Sequence, residues 1–239
     1  MLLALWSPKG GSGTSVLAAA CAAVLARRGG CRLADLAGDQ PAVLGLGADP
    51  ETGLAEWLAT GPDAPAEALD RLAVEVAPGL RLVPAGTRRV LAPAAAAEAG
   101  AALGIALRSG DGPCIVDAGR ADDPAGRMVV EVADASVIVV RGCYLTLRRA
   151  VHTPLTLRAA GIAFVDEPGR ALGPAEARDV LDRPILVRVP VRPAVARAVD
   201  AGVLAVRPPD GLARAATRLL DRLERMVGSA PVPAAPDAP

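Results

Sequence analysis

Mostly apolar runs, with no strict alternation, recur along the chain: MLLALW (1–6), CRLAD (31–35), GLRLVP (79–84), PCIVD (113–117), ASVIVV (135–140), IAFVD (162–166) and ILVRV (185–189). Each predicts a strand, and a strand apolar on both faces is one covered on both faces. Between them lie stretches of helical composition. TSVLAAACAAVLARRGG ends in Arg27-Arg28 and then Gly29-Gly30, a helix stop. Short helices separated by Gly and Pro are predicted over 41–73, including GLAEWLAT. Further helices are predicted over 92–107, 144–159 (kinked near Pro154), 174–181, 192–200 and 210–227. Strands alternating with helices in this way predict an α/β fold: a doubly wound, mainly parallel sheet with helices on both faces. SAPVPAAPDAP, from Ser229 to Pro239, is rich in Pro and Ala and is predicted to be a disordered tail, which leaves one domain over 1–228.

The first strand runs into SPKGGSGTS (7–15) and then into a helix. Strand, glycine-rich turn, helix is the context in which backbone N–H groups turn inward around phosphate and the helix N-terminus adds its positive end. The candidate nucleotide-binding residues are therefore Lys9, Gly10, Gly11, Ser12, Gly13, Thr14 and Ser15, with the Ser15 hydroxyl placed for Mg²⁺. An ordinary tight turn after a first strand is the alternative. The usual phosphate-loop lysine is missing: Thr14 stands there, and a lysine appears five residues earlier, at Lys9.

Composition makes Lys9 conspicuous. Of 26 basic residues it is the single lysine, and the chain has no Asn. Arginine serves at the other 25 basic positions, so a lysine inside the loop points to a place that needs a compact charge on a flexible stem, where a planar fork would not serve. Aromatic residues are 2% of the chain, so the core must be built from Ala, Val and Leu. Net charge is zero but uneven: residues 1–139 carry 11 basic and 16 acidic groups, and residues 140–228 carry 15 and 9. That allows a modest basic face and argues against a dedicated nucleic-acid binder. Cys21, Cys31, Cys114 and Cys143 form no C-x-x-C pair and read as small residues of a reducing compartment. His152 reads as a surface residue. Val16 to Ala26, the longest apolar run, is too short to span a bilayer, and charged and glycine residues break the N-terminal run, so no transmembrane segment and a cytoplasmic location are expected.

Asp35 and Asp117 close two of the predicted strands, and ligands bind outside the carboxyl ends of such strands. With Pro8–Ser15 they converge on one edge of the sheet. Leu54, Trp57 and Leu58 read as core. Cys143 and Tyr144 follow a strand end and border either a site or a helix cap. Arg148 and Arg149 read as a solvated helix face. Leu212, Leu219, Leu223 and Met226 lie near one side of helix 210–227, which is expected to pack on the sheet.

These residues carry a resemblance. PKGGSGTS resembles the deviant phosphate loop of the ParA/MinD superfamily, K-G-G-x-G-K-[ST]. LADLAGDQPAVLGLG resembles its second-strand segment, usually V-D-x-D. CIVDAG resembles its Walker B strand, and RVPVRPAVARAVDAGVLAV a late strand-to-helix segment. Replacement of the second lysine by a small residue is similar to the CpaE/TadZ branch, which positions pilus and secretion machinery.

The resemblance implies ATP and Mg²⁺ as cofactors and a homodimer closed around nucleotide. Lys9 would be the signature lysine, reaching the partner subunit's phosphates. Ser15 and Asp117 would hold the metal, and Lys9, Asp35 and Asp117 would form the catalytic set. The second Asp of V-D-x-D, which positions the attacking water, is Ala37 here. Asp39 lies two residues further on and is not its substitute. The family's adenine-binding asparagine has no counterpart; Asp166 or Glu167 stands in its neighbourhood. Losing one charged group at a developing transition-state charge costs about 10²–10³ in rate. Thr14 and Ala37 together imply hydrolysis that is weak or absent. The implied role is a positioning switch serving a pilus or secretion apparatus. A DNA-partitioning ATPase and a nucleotide-free scaffold are the alternatives, with nucleic acid a weakly supported partner.

Overall fold

The computed structural model describes residues 1–87 and 92–228. The predicted tail at 229–239 lies outside them.

Among the described residues eight strands form one sheet: β1 (Leu2–Trp6), β2 (Cys31–Asp35), β3 (Val74–Ala77), β4 (Leu80–Val83), β5 (Cys114–Asp117), β6 (Ala135–Arg141), β7 (Gly161–Asp166) and β8 (Ile185–Pro190). Their order across the sheet is β3-β4-β2-β5-β1-β6-β7-β8. Every neighbouring pair is parallel except β3–β4. The continuous apolar runs are explained by β1, whose five residues are all buried. Leu3 and Leu5 face one side and Leu2, Ala4 and Trp6 the other.

The first face is covered by α1 (Thr14–Arg28), by α2 (Gln40–Leu44) and by two late helices. The opposite face is covered by α3 (Leu54–Thr60), α4 (Ala68–Leu72), α5 (Pro93–Ser109), α6 (Pro124–Val132), α7 (Tyr144–Val151) and α8 (Pro174–Leu181). The late helices of the first face are α9 (Pro193–Asp200) and α10 (Asp210–Gly228). In α10, Leu212, Ala215, Ala216, Leu219, Leu220 and Leu223 are all buried against the sheet. Arg28 at the end of α1 pairs with Asp221 at 2.8 Å and Glu224 at 3.4 Å. The expected packing of this helix holds, except that Met226 is 40% exposed. Leu54 and Trp57 are core, as expected. Among the described residues no helix is long and apolar enough to cross a membrane.

Three local expectations change. Helix 144–159 is broken, not kinked: α7 stops at Val151, and Pro154–Arg158 forms a separate 3₁₀ turn. Thr153, forced out of the helical region by the proline after it, takes φ −102° and ψ 114°. Helix α6 was not expected. Its start is nonetheless a capping signal: Asp123 accepts from the Gly126 amide at 2.8 Å, and Pro124 opens the helix. Strand β3 was not expected either. Val74 and Glu75 are exposed on an antiparallel edge, so it lacks the apolar continuity of the inner strands.

Candidate phosphate-binding site

The loop between β1 and α1 is shaped by its glycines and two serines. Gly11 and Gly13 take φ 75° and 87°, values that residues with a Cβ rarely adopt. The Ser7 hydroxyl bonds the Ser12 hydroxyl at 2.8 Å, and the Lys9 carbonyl accepts from Ser7 at 2.9 Å and Ser12 at 2.8 Å. Both serines are buried. The loop is therefore fixed from beneath by its own side chains, and its upper surface lines an open cleft of about 640 Å³.

All seven predicted loop residues, Lys9 to Ser15, line this cleft, with Ala37, Asp39, Arg120 and Asp122 across from them. Thr14 is buried, so it brings neither charge nor reach. Lys9 is half-buried and its ammonium donates to the Gly10 carbonyl at 3.1 Å, folded back on its own loop. Arg141 donates to the Gly11 carbonyl at 3.0 Å from behind the loop.

Asp35 and Asp117 lie beneath the cleft and are fully buried. They are register partners on β2 and β5. Asp35 accepts from the amides of Ala37 (3.0 Å), Gly38 (2.7 Å) and Gln40 (3.0 Å). Its carboxylate thus shapes the turn that carries Ala37 and Asp39 to the cleft. Burial, and then the charge of Asp117, pushes its carboxyl up to about 7. Asp117 accepts from the Gly119 amide at 3.1 Å and from the Gln40 side chain at 2.8 Å, and it is hydrogen-bonded to the Ser15 side chain. Its carboxyl too is raised, mainly by burial.

Gln40 joins these parts and was not singled out in the sequence. It is fully buried, and its one amide nitrogen reaches both Asp117 and, at 3.0 Å, the Ser15 carbonyl at the start of α1. A lone Gln before a proline carries no sequence mark of burial. Of the two residues considered for base recognition, Asp166 is paired with Arg188, and Glu167 with Arg170 at 2.8 Å and Arg141 at 3.7 Å. Cys143 stands at the N-cap of α7, where the Thr146 amide draws its thiol below the ordinary value; Tyr144 is 71% exposed. Cys21, Cys31 and Cys114 are free and buried.

The residues fit a magnesium polyphosphate. A glycine loop with two positive-φ residues lines the cleft, and the Ser15 hydroxyl is hydrogen-bonded to the Asp117 carboxylate, the hard-oxygen pairing Mg²⁺ prefers. Among the described residues no group of three or more His, Cys, Asp and Glu side chains could hold a metal ion, so a cation here would need oxygens from the bound anion as well.

An eight-stranded doubly wound sheet with a glycine-rich loop leading from its central strand into a helix is the fold of the MinD/ParA group of P-loop NTPases. The septum site-determining protein MinD from Pyrococcus horikoshii OT3, complexed with Mg-ADP, superposes with a TM-score of 0.73 at 20% identity over 95% of this chain and 97% of its own. A ParA family ATPase from Chlorobium tepidum TLS gives 0.73 at 23% identity over 93% and 96%. A Cyanothece McdA variant in complex with ATP gives 0.70 at 16% identity over 97% of each chain. No protein-family model matches the sequence, and no curated protein matches it by sequence.

Proposed function

We propose that this chain is a ParA/MinD-type nucleotide switch: it binds ATP with Mg²⁺ in the cleft, dimerises around the nucleotide and hydrolyses it weakly or not at all. The carrying observation is the loop itself, a cradle with two positive-φ glycines in which Thr14 is buried and the single lysine, Lys9, stands on the cleft wall. The amides of Gly10 to Ser15 would hold the phosphates, and Ser15 and Asp117 the Mg²⁺, whose charge would draw electron density from the transferring phosphoryl group. Lys9 is free to extend across a dimer interface, because its bond to the adjacent Gly10 carbonyl is weak and local. Asp35 fixes the turn bearing Ala37, a methyl at the position where the resembling family has its water-orienting carboxylate.

The fold's relatives support nucleotide and magnesium as the ligand class: one MinD is complexed with Mg-ADP and one McdA with ATP. A MinC:MinD complex from Aquifex aeolicus supports a protein partner. The loop's likeness to the CpaE/TadZ pattern favours a pilus or secretion apparatus as the cargo. A second groove bears on the partition alternative. It is lined by Arg120, Arg148 and Arg149 with one acid, Asp122, beside Pro8, a net basic surface next to the loop that a nucleic acid could contact. Residues 1–228 act as one unit in this reading, and the free buried cysteines favour a reducing, cytoplasmic setting. The experiment is calorimetry with ATP and Mg²⁺, followed by light scattering with a non-hydrolysable ATP analogue. Binding with a doubling of mass is expected. Absence of both heat and thermal stabilisation at millimolar nucleotide hands the case to a nucleotide-free scaffold.

A further inference from the structure

We infer that Arg120 supplies, within its own subunit, the cation that Thr14 withholds from the bound polyphosphate; the inference rests on the cleft being a nucleotide site. Three observations carry it. First, the turn holding Arg120 is built rigidly onto the loop. The Ser7 amide donates to the Gly119 carbonyl at 2.8 Å, the Ala118 amide to Leu5 at 2.9 Å, and the Ala121 amide to Ala118 at 2.8 Å. Gly119 has φ 54°, and Ala121 is a buried non-glycine residue at φ 49°. Such backbone persists only where its surroundings enforce it. Here it makes Arg120 the exposed apex of a tight turn at the cleft wall.

Second, the arginine stem lies over the loop. A Cβ on Gly10 would meet the Arg120 Cδ at 3.9 Å, so the chain passes above the first amides of the cradle. Third, the present partner of the guanidinium is readily exchanged. Arg120 pairs with Asp122 at 2.9 Å, both side chains are 58% exposed, and both residues line the cleft. Exposed pairs of this kind are held weakly. A polyphosphate offers a planar fork two charge-assisted hydrogen bonds and a larger charge, so Arg120 would leave Asp122 for the ligand. The local charge is then delivered from the turn after β5 and not from the loop.

The test is the affinity of the whole chain for two probes, Mg–ATP and inorganic triphosphate with Mg²⁺. Arg120→Ala is expected to weaken both by at least about tenfold, a typical loss for a charge-assisted contact. Because Arg120 is exposed, the melting temperature without ligand should not move. Asp122→Ala removes the competing carboxylate and should tighten both probes, with most of that gain lost when Arg120→Ala is added. Unchanged affinity in Arg120→Ala overturns the inference and leaves the nucleotide site standing. Weakening for ATP alone overturns it as well, by moving Arg120 to the nucleoside. If the wild type binds neither probe, the nucleotide reading fails and this inference falls with it.

Discussion

Asp35 and Asp117 stand side by side on neighbouring parallel strands, both without solvent exposure, beneath the glycine-rich loop. Two carboxylates so placed repel each other and resist ionisation. Each is held by amide donors, and Gln40 ties them together, giving its backbone amide to one and its side chain to the other. The site is thus built over a strained acidic floor that a divalent cation would relieve.

That floor has a pH signature. Asp35 has its carboxyl raised from 3.8 to about 7, first by burial and then by Asp117. Between those values the folded chain keeps a proton that the unfolded chain has released. Stability therefore falls as pH rises through this window and levels off above it, with a ceiling of about 4 kcal/mol for this one group. Asp117 is shifted in the same direction. Urea unfolding of wild type and Asp35→Asn from pH 4.5 to 8 isolates the effect: the wild type should lose stability relative to the variant as pH rises. A relative gain would mean that the three amide donors keep Asp35 ionised.

Lys9→Ala should leave the unfolding midpoint nearly unchanged, because a half-exposed loop side chain contributes little to folding. In the proposed switch it should abolish nucleotide-dependent dimerisation by leaving phosphate charge unpaired in a closing interface. Lys9→Arg should fail too, since a guanidinium is broader than an ammonium. Sedimentation with a non-hydrolysable ATP analogue reads the mass. A Lys9→Ala protein that dimerises like the wild type would confine Lys9 to its own subunit.

Phosphate release from Mg–ATP should be slow, far below the general enzyme median of about 10 s⁻¹, because Thr14 and Ala37 stand where charged groups would act. A turnover near that median would show that, beside the charge assigned to Arg120, a further residue has taken over the task lost at Ala37.

Packing gives a prediction independent of nucleotide. A Cβ on Gly100 in α5 would lie 2.5 Å from the Cα and carbonyl oxygen of Ala125 in α6. The obstacle is backbone, which cannot rotate aside. Gly100→Ala should therefore lose about 1–3 kcal/mol to overpacking, against a helix-propensity gain of at most about 1 kcal/mol. Thermal melting should show a net loss; a higher melting temperature would mean that the two helices part without cost.

What the sequence determined by itself was local. Seven of the eight strands described were legible because burial leaves a mostly apolar run, interrupted inside β2, β4 and β8 by one arginine each, and the loop because its glycines and flanking elements are contiguous in the chain. Where a signal was weak or interrupted, tertiary structure decided. The edge strand β3 exposes Val74 and Glu75 and exists through its pairing with β4. Helix α6 is short, and its cap at Asp123 becomes readable once α5 is seen against it. Of the floor of the site, Asp35 and Asp117 were legible as strand ends, but the side chain that joins them was not. Gln40 meets Asp117 across 77 residues, and Arg120 reaches the loop because β5 lies beside β1 in the sheet. Periodicity and turn chemistry act over a few residues, whereas which polar side chains share a buried space depends on strand order, a property of the whole chain.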